Sequence, residues 1–134
     1  MGSVKTLILL AHGSRAPETV GEMQDLASRM RKSLLGNSNM GKSGAGLDIR
    51  GAYLSLSDPD LATACGEAVD AGAGEIHILP LFLFSGKHVL GDIPDQVETL
   101  KTRHPGVNVV LLDPIGRHPE FPDFLLKAAS LFPE

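Results

Sequence analysis

Two histidines far apart in the chain, His12 and His88, have surroundings that point to chemistry. His12 precedes Gly13, Ser14 and Arg15; His88 follows Ser85, Gly86 and Lys87. Imidazole is a good ligand for divalent cobalt, nickel, iron and zinc, and two imidazoles with open coordination positions hold an ion without caging it. The same ring accepts a proton near neutral pH. A pair of this kind suits a protein that passes a metal ion on. A single histidine after a strand is commonly a cap or a structural residue; the glycine and cation beside both histidines are what point to function. Arg15 and Lys87 can bind carboxylates, arginine through paired hydrogen bonds, with ordinary solvated surface as the plainer alternative. His77 reads as a strand residue and His104 as a helix-end residue. His118 reads as a further residue near the site, and Asp92 as a helix cap.

For the two histidines to meet, the chain must bring them to one edge of a sheet. Val4 to Ala11 is an apolar run of strand length, the pattern of a strand buried on both faces. His12 follows it directly. Val20, Met23, Ala27, Met30 and Leu34 recur at helical spacing from about Pro17 to Leu34. Leu47 to Leu56 alternates as a second strand. Ser57-Asp58-Pro59 caps a second helix, with Leu61, Ala64, Cys65, Ala68 and Val69 on one face. Glu75 to Phe84 reads as a third strand, and Ser85 to His88 as the loop after it. A helix follows from about Asp92 to Arg103, then a fourth strand from Val107 to Leu112. The last helix runs from roughly Pro119 to Leu131, with Phe121, Phe124, Leu125 and Ala128 inward. Four strand–helix alternations predict a four-stranded parallel sheet with helices on both faces, a flavodoxin-like three-layer α/β domain. Ligands of such sheets gather beyond the carboxyl ends of the strands, where His12 and His88 both fall.

The 134 residues fit one domain, residues 1–134, interrupted by a flexible Gly/Ser-rich loop over 35–46. A formal charge of −4 without a basic stripe argues against nucleic acid as a partner. No apolar run is long enough for a membrane span, and the single Cys65 fits a reducing compartment, so a cytoplasmic location is expected. Gly36 to Ser43 (GNSNMGKS) matches the letters of a phosphate-binding loop. That motif works between a strand and a helix; this one follows a helix and precedes a strand. Nucleotide binding through Lys42 and Ser43 is therefore the lesser alternative.

LILLAHGSRAPE near the start, YLSLSDPDL, and LPLFLFSGKHVLGDIP in the middle resemble the CbiX-type sirohydrochlorin chelatases in their short, single-domain form. The resemblance covers nearly the whole chain. It implies ATP-independent insertion of a divalent metal into sirohydrochlorin, cobalt first, with nickel or iron as alternatives, in tetrapyrrole and cobalamin biosynthesis. It implies that the metal is a substrate, that no organic cofactor is used, and that the chain forms a homodimer around the cleft. The family's metal-binding histidines fall on His12 and His88, which would also take up the pyrrole protons that the metal displaces. Arg15 and Lys87 would meet the substrate's carboxylates, and Ser14, Ser85 and Gly86 would also bind the substrate. Many relatives carry a glutamate in the second strand, where this sequence reads Tyr53-Leu54-Ser55-Leu56. A hydroxyl at Ser55 replaces a carboxylate poorly, which keeps a non-catalytic metal or tetrapyrrole carrier as the alternative.

Overall fold

The computed structural model describes residues 4–36, 47–84 and 86–130, with positions 87–90 described for their backbone only. In chain order the elements are β1 (Val4–Ala11), α1 (Glu18–Gly36), β2 (Leu47–Tyr53), α2 (Leu61–Asp70), β3 (Ala73–Pro80), α3 (Lys87–Arg103), β4 (Asn108–Leu111), a 3₁₀ turn (Ile115–Arg117) and α4 (Phe121–Ala129). The strands form one sheet in the order β2-β1-β3-β4, and every neighbouring pair is parallel. The expected α/β class, strand number and layering are all present.

The central position of β1 explains its unbroken apolar run, because both of its faces lie under helices. Ile8, Leu9 and Leu10 are wholly inaccessible to solvent. Ile8 and Leu10 pack with Leu61, Ala64, Cys65 and Ala68 of α2 and Ile93, Val97 and Leu100 of α3. Leu9 faces the other way, into a layer with Met23 and Ala27 of α1. The period-two alternation of a strand thus divides the core into two layers. Cys65 is buried in the first of them and burial pushes its thiol pKa up, so it is a packing residue rather than a ligand.

Several expected boundaries move. β2 stops at Tyr53, because Leu56 turns the chain with φ 66°. β3 stops at Pro80, and Leu81 to Phe84 leave the sheet where β1 ends and no partner strand continues. α3 starts at Lys87, so Lys87 and His88 belong to its first turn instead of a loop, and Asp92 lies inside the helix rather than capping it. Pro94 sits within this helix. Leu35 and Gly36 complete α1, whereas the remainder of the expected 35–46 loop, with Lys42 and Ser43, lies outside the described residues. In α4, Phe124, Leu125 and Leu126 are exposed and Ala128 is exposed with them, against the expectation of an inward face. Among the described residues, no helix is long and apolar enough to cross a membrane.

The cap of α2 is Asp60 rather than Ser57-Asp58-Pro59. Its carboxylate accepts from the Thr63 N–H at 2.8 Å, and that bond holds the carboxyl below its ordinary range. A carboxylate lowered in the folded state stabilises above its unfolded pKa and loses that contribution as pH falls through the folded value. Asp60→Ala is expected to cost about 1 kcal/mol near neutrality. Urea melts should show the difference from the parent shrinking in acid, below the ordinary value of 3.8.

Candidate metal-binding site

His12 leaves β1 at the carboxyl edge of the sheet, and its backbone is fixed by the turn that follows β2. The Leu54 N–H donates to Ala11 O at 2.9 Å and the Ser55 N–H to His12 O at 3.0 Å. Gly13 takes φ +94°, and a Cβ there would lie 1.7 Å from Ser55 O. Only glycine allows the two turns to approach this closely. Ser57 Oγ then clamps Ser14 from both sides, accepting from its N–H at 3.0 Å and donating to its carbonyl at 2.8 Å. Ser14 Oγ accepts in turn from the Ala16 N–H at 3.0 Å.

The His12 ring is exposed above this frame, with its edge against Phe82, ring centroids 4.4 Å apart at 67°. Phe82 is 4 % exposed and belongs to the core. Its carbonyl accepts from the Gly116 N–H at 3.0 Å, while the Leu81 N–H donates to Leu10 O at 2.8 Å. The turns after β1, β2, β3 and β4 are therefore joined side to side by backbone hydrogen bonds. The result is a hydrogen-bonded edge that presents the His12 imidazole to solvent.

The other expected site residues are placed as follows. Ser14 belongs to the clamped turn, and Arg15 is exposed beside it. Gly86 occupies the position before α3, with extended backbone. Lys87 and His88 are the first two residues of α3, which places them after the strand next to β1; their side chains, and Ser85 altogether, lie outside the described residues. Among the described residues, no three histidine, cysteine or acidic side chains cluster as a metal cage.

The remaining histidines stand apart. His77 lies within β3, its Nε2 3.3 Å from Glu75 Oε1, a contact that contributes most to holding the Glu75 carboxyl below its ordinary range. His104 ends α3, as expected. His118 is exposed, and its Nδ1 accepts from the Glu120 N–H at 3.1 Å. It borders a cleft of about 1050 Å³ between β3, β4 and α4, lined by Leu79, Leu112, Ile115, Phe121 and Phe124.

Three contributors to this edge escape a reading of the sequence. Phe82 was hidden in an apolar run that reads as strand, Ser57 in a segment that reads as a helix cap, and Leu56 in an alternation that reads as strand. The signal for Ser57 was its place directly after the second expected strand.

A model of the CbiX family matches residues 6–130. A sirohydrochlorin ferrochelatase of Priestia megaterium is 25% identical over 124 residues, 90% of this chain but 42% of that protein, so the chain spans less than half of that relative's length. A sirohydrochlorin cobaltochelatase of Sulfurisphaera tokodaii is 26% identical over 110 residues, 82% of this chain and 78% of that protein. Among solved structures, a cobalamin biosynthesis CbiX protein of Marinobacter aquaeolei VT8 superposes with a TM-score of 0.71 at 28% identity, covering 94% of each chain.

Proposed function

Because this chain belongs to the CbiX family, we propose that it is a sirohydrochlorin chelatase that inserts a divalent metal ion into the macrocycle without ATP. The observation that carries this reading is His12, an exposed imidazole on a backbone fixed by Gly13, Ser55 and Ser57. His12 and His88 hold the incoming ion, which is a substrate, through neutral imidazole nitrogens. Both positions follow adjacent strands, β1 and β3, on one edge of the sheet.

The ion must be bound loosely enough to leave. Two imidazoles and water satisfy this, because no thiolate cage has to be broken. As the macrocycle's nitrogens take the metal, two inner pyrrole protons must depart, and the His12 and His88 imidazoles released from the metal accept one each. Arg15 and Lys87 bind peripheral carboxylates, with Ser14, Ser85 and Gly86 offering hydrogen bonds around them. A flat macrocycle needs a second wall to lose its water, which a second copy of this chain supplies in a homodimer. Cobalt is the metal we favour, with iron and nickel as the competing ions; imidazole sites bind all three, and supply decides among them.

The test is anaerobic incubation of the protein with sirohydrochlorin and cobalt, iron or nickel in turn, followed by absorbance. Acceleration over the protein-free rate is expected with each ion, and most with cobalt. Rates equal to background with all three overturn the enzymatic reading. Ser55, an exposed hydroxyl, favours a second reading as a carrier; tight macrocycle binding without acceleration selects it.

A further inference from the structure

Leu56 is a β2–α2 turn residue with φ 66°, and it is 61 % exposed. A branched side chain in the left-handed region is uncommon, because its Cβ crowds the following carbonyl. Glycine or asparagine would be expected there. The side chain gains little from the fold in compensation, since most of its surface meets water. An apolar residue held in an unfavourable backbone conformation and turned to solvent asks for a role beyond the chain's own packing.

Its position says what. Leu56 lies between Ser55, whose N–H donates to His12 O, and Ser57, whose hydroxyl clamps Ser14. On the neighbouring turn, Leu83 is 51 % and Phe84 is 90 % exposed, directly after the Phe82 ring that meets His12. Three large apolar side chains thus stand on the turns to either side of one exposed imidazole, with Arg15 beyond Ser14. Apolar surface around a metal-handling group, with a cation further out, matches a flat ring that is apolar on its face and anionic at its periphery.

We propose that Leu56, with Leu83 and Phe84, forms the platform on which the face of the tetrapyrrole rests, and that Leu56 is a substrate-positioning residue. The proposal rests on the chelatase reading. The left-handed backbone lifts the Leu56 side chain into the path of the macrocycle, and stacking there sets the ring at a fixed height over His12.

The test is Leu56→Gly, which removes the side chain and suits the backbone conformation. Metal-free sirohydrochlorin binding, read by absorbance, is expected to weaken roughly tenfold, about what a partly covered leucine side chain is worth. Cobalt binding to the protein alone, read by its visible spectrum, is expected to stay the same, and thermal stability to hold or rise. In turnover the loss is expected in KM and kcat together, because a ring no longer held at its height over His12 reacts more slowly once bound. Unchanged macrocycle affinity in Leu56→Gly, when the parent binds, overturns the platform and leaves the chelatase reading standing. A parent that binds no sirohydrochlorin overturns both. A change in sedimentation from dimer to monomer in Leu56→Gly overturns the platform by making this patch a subunit contact.

Discussion

His12→Ala is expected to lower the rate of metal insertion by about two to four orders of magnitude. The ring is exposed, touches the fold mainly through the edge contact with Phe82, and carries the proposed metal-binding nitrogen. Its removal takes away a ligand and a proton acceptor together. Stability should change little, within about 1 kcal/mol, because neither core layer loses volume. The decisive comparison is the insertion rate of the variant and the parent at saturating metal, beside urea melts of both. A variant with parental turnover would remove His12 from the chemistry and the proposed mechanism with it.

Gly13→Ala should damage the same site by another route. The added methyl group would lie 1.7 Å from Ser55 O at a φ of +94°, so the turn after β1 and the turn after β2 must part. Left-handed strain and the lost bonds around Ser14 and His12 together are expected to cost about 3 kcal/mol. That is a large share of the total for a domain of this size. Cobalt affinity should fall even in the folded fraction, since His12 no longer sits on a fixed backbone. Thermal unfolding combined with cobalt titration below the melting temperature separates the two losses. A variant that melts with the parent and binds cobalt equally would show that the close approach of these turns is unimportant.

The sequence allowed the sheet, its parallel sense and the edge bearing His12 to be read in advance, for a physical reason. A central strand in an α/β layer must be apolar on both faces, and Val4–Ala11 is; the residue after it must emerge at the ligand-binding edge. Strand ends were less legible. Leu81 to Phe84 are as apolar as the strand before them, and what ends β3 is the lack of a neighbour beyond Ala11 and Leu111, a property of other segments. The start of α3 was read too late because Asp92 looks like a helix cap, whereas the helix begins earlier, at Lys87. The last helix was read as buried because its apolar spacing is regular. Spacing identifies an apolar stripe but does not say what covers it, and Phe124, Leu125 and Leu126 remain in contact with solvent. Within the site, residue types identified the candidate ligand but not the frame, since Ser57 acts through its hydroxyl on the Ser14 backbone and Gly13 through its close approach to Ser55, contacts that only folding makes.

The order β2-β1-β3-β4 also governs how the molecule loosens. β2 and β4 are the margins, and α4 with its solvent-facing leucines is the least anchored helix, so thermal fraying begins at those places. The imidazole hangs from β1, whose amides and carbonyls are tied on both flanks and whose Ile8, Leu9 and Leu10 side chains are sealed above and below. Fraying confined to β4 and α4 can therefore come and go while His12 keeps its place, whereas loosening of β2 also frees the turn that fixes it.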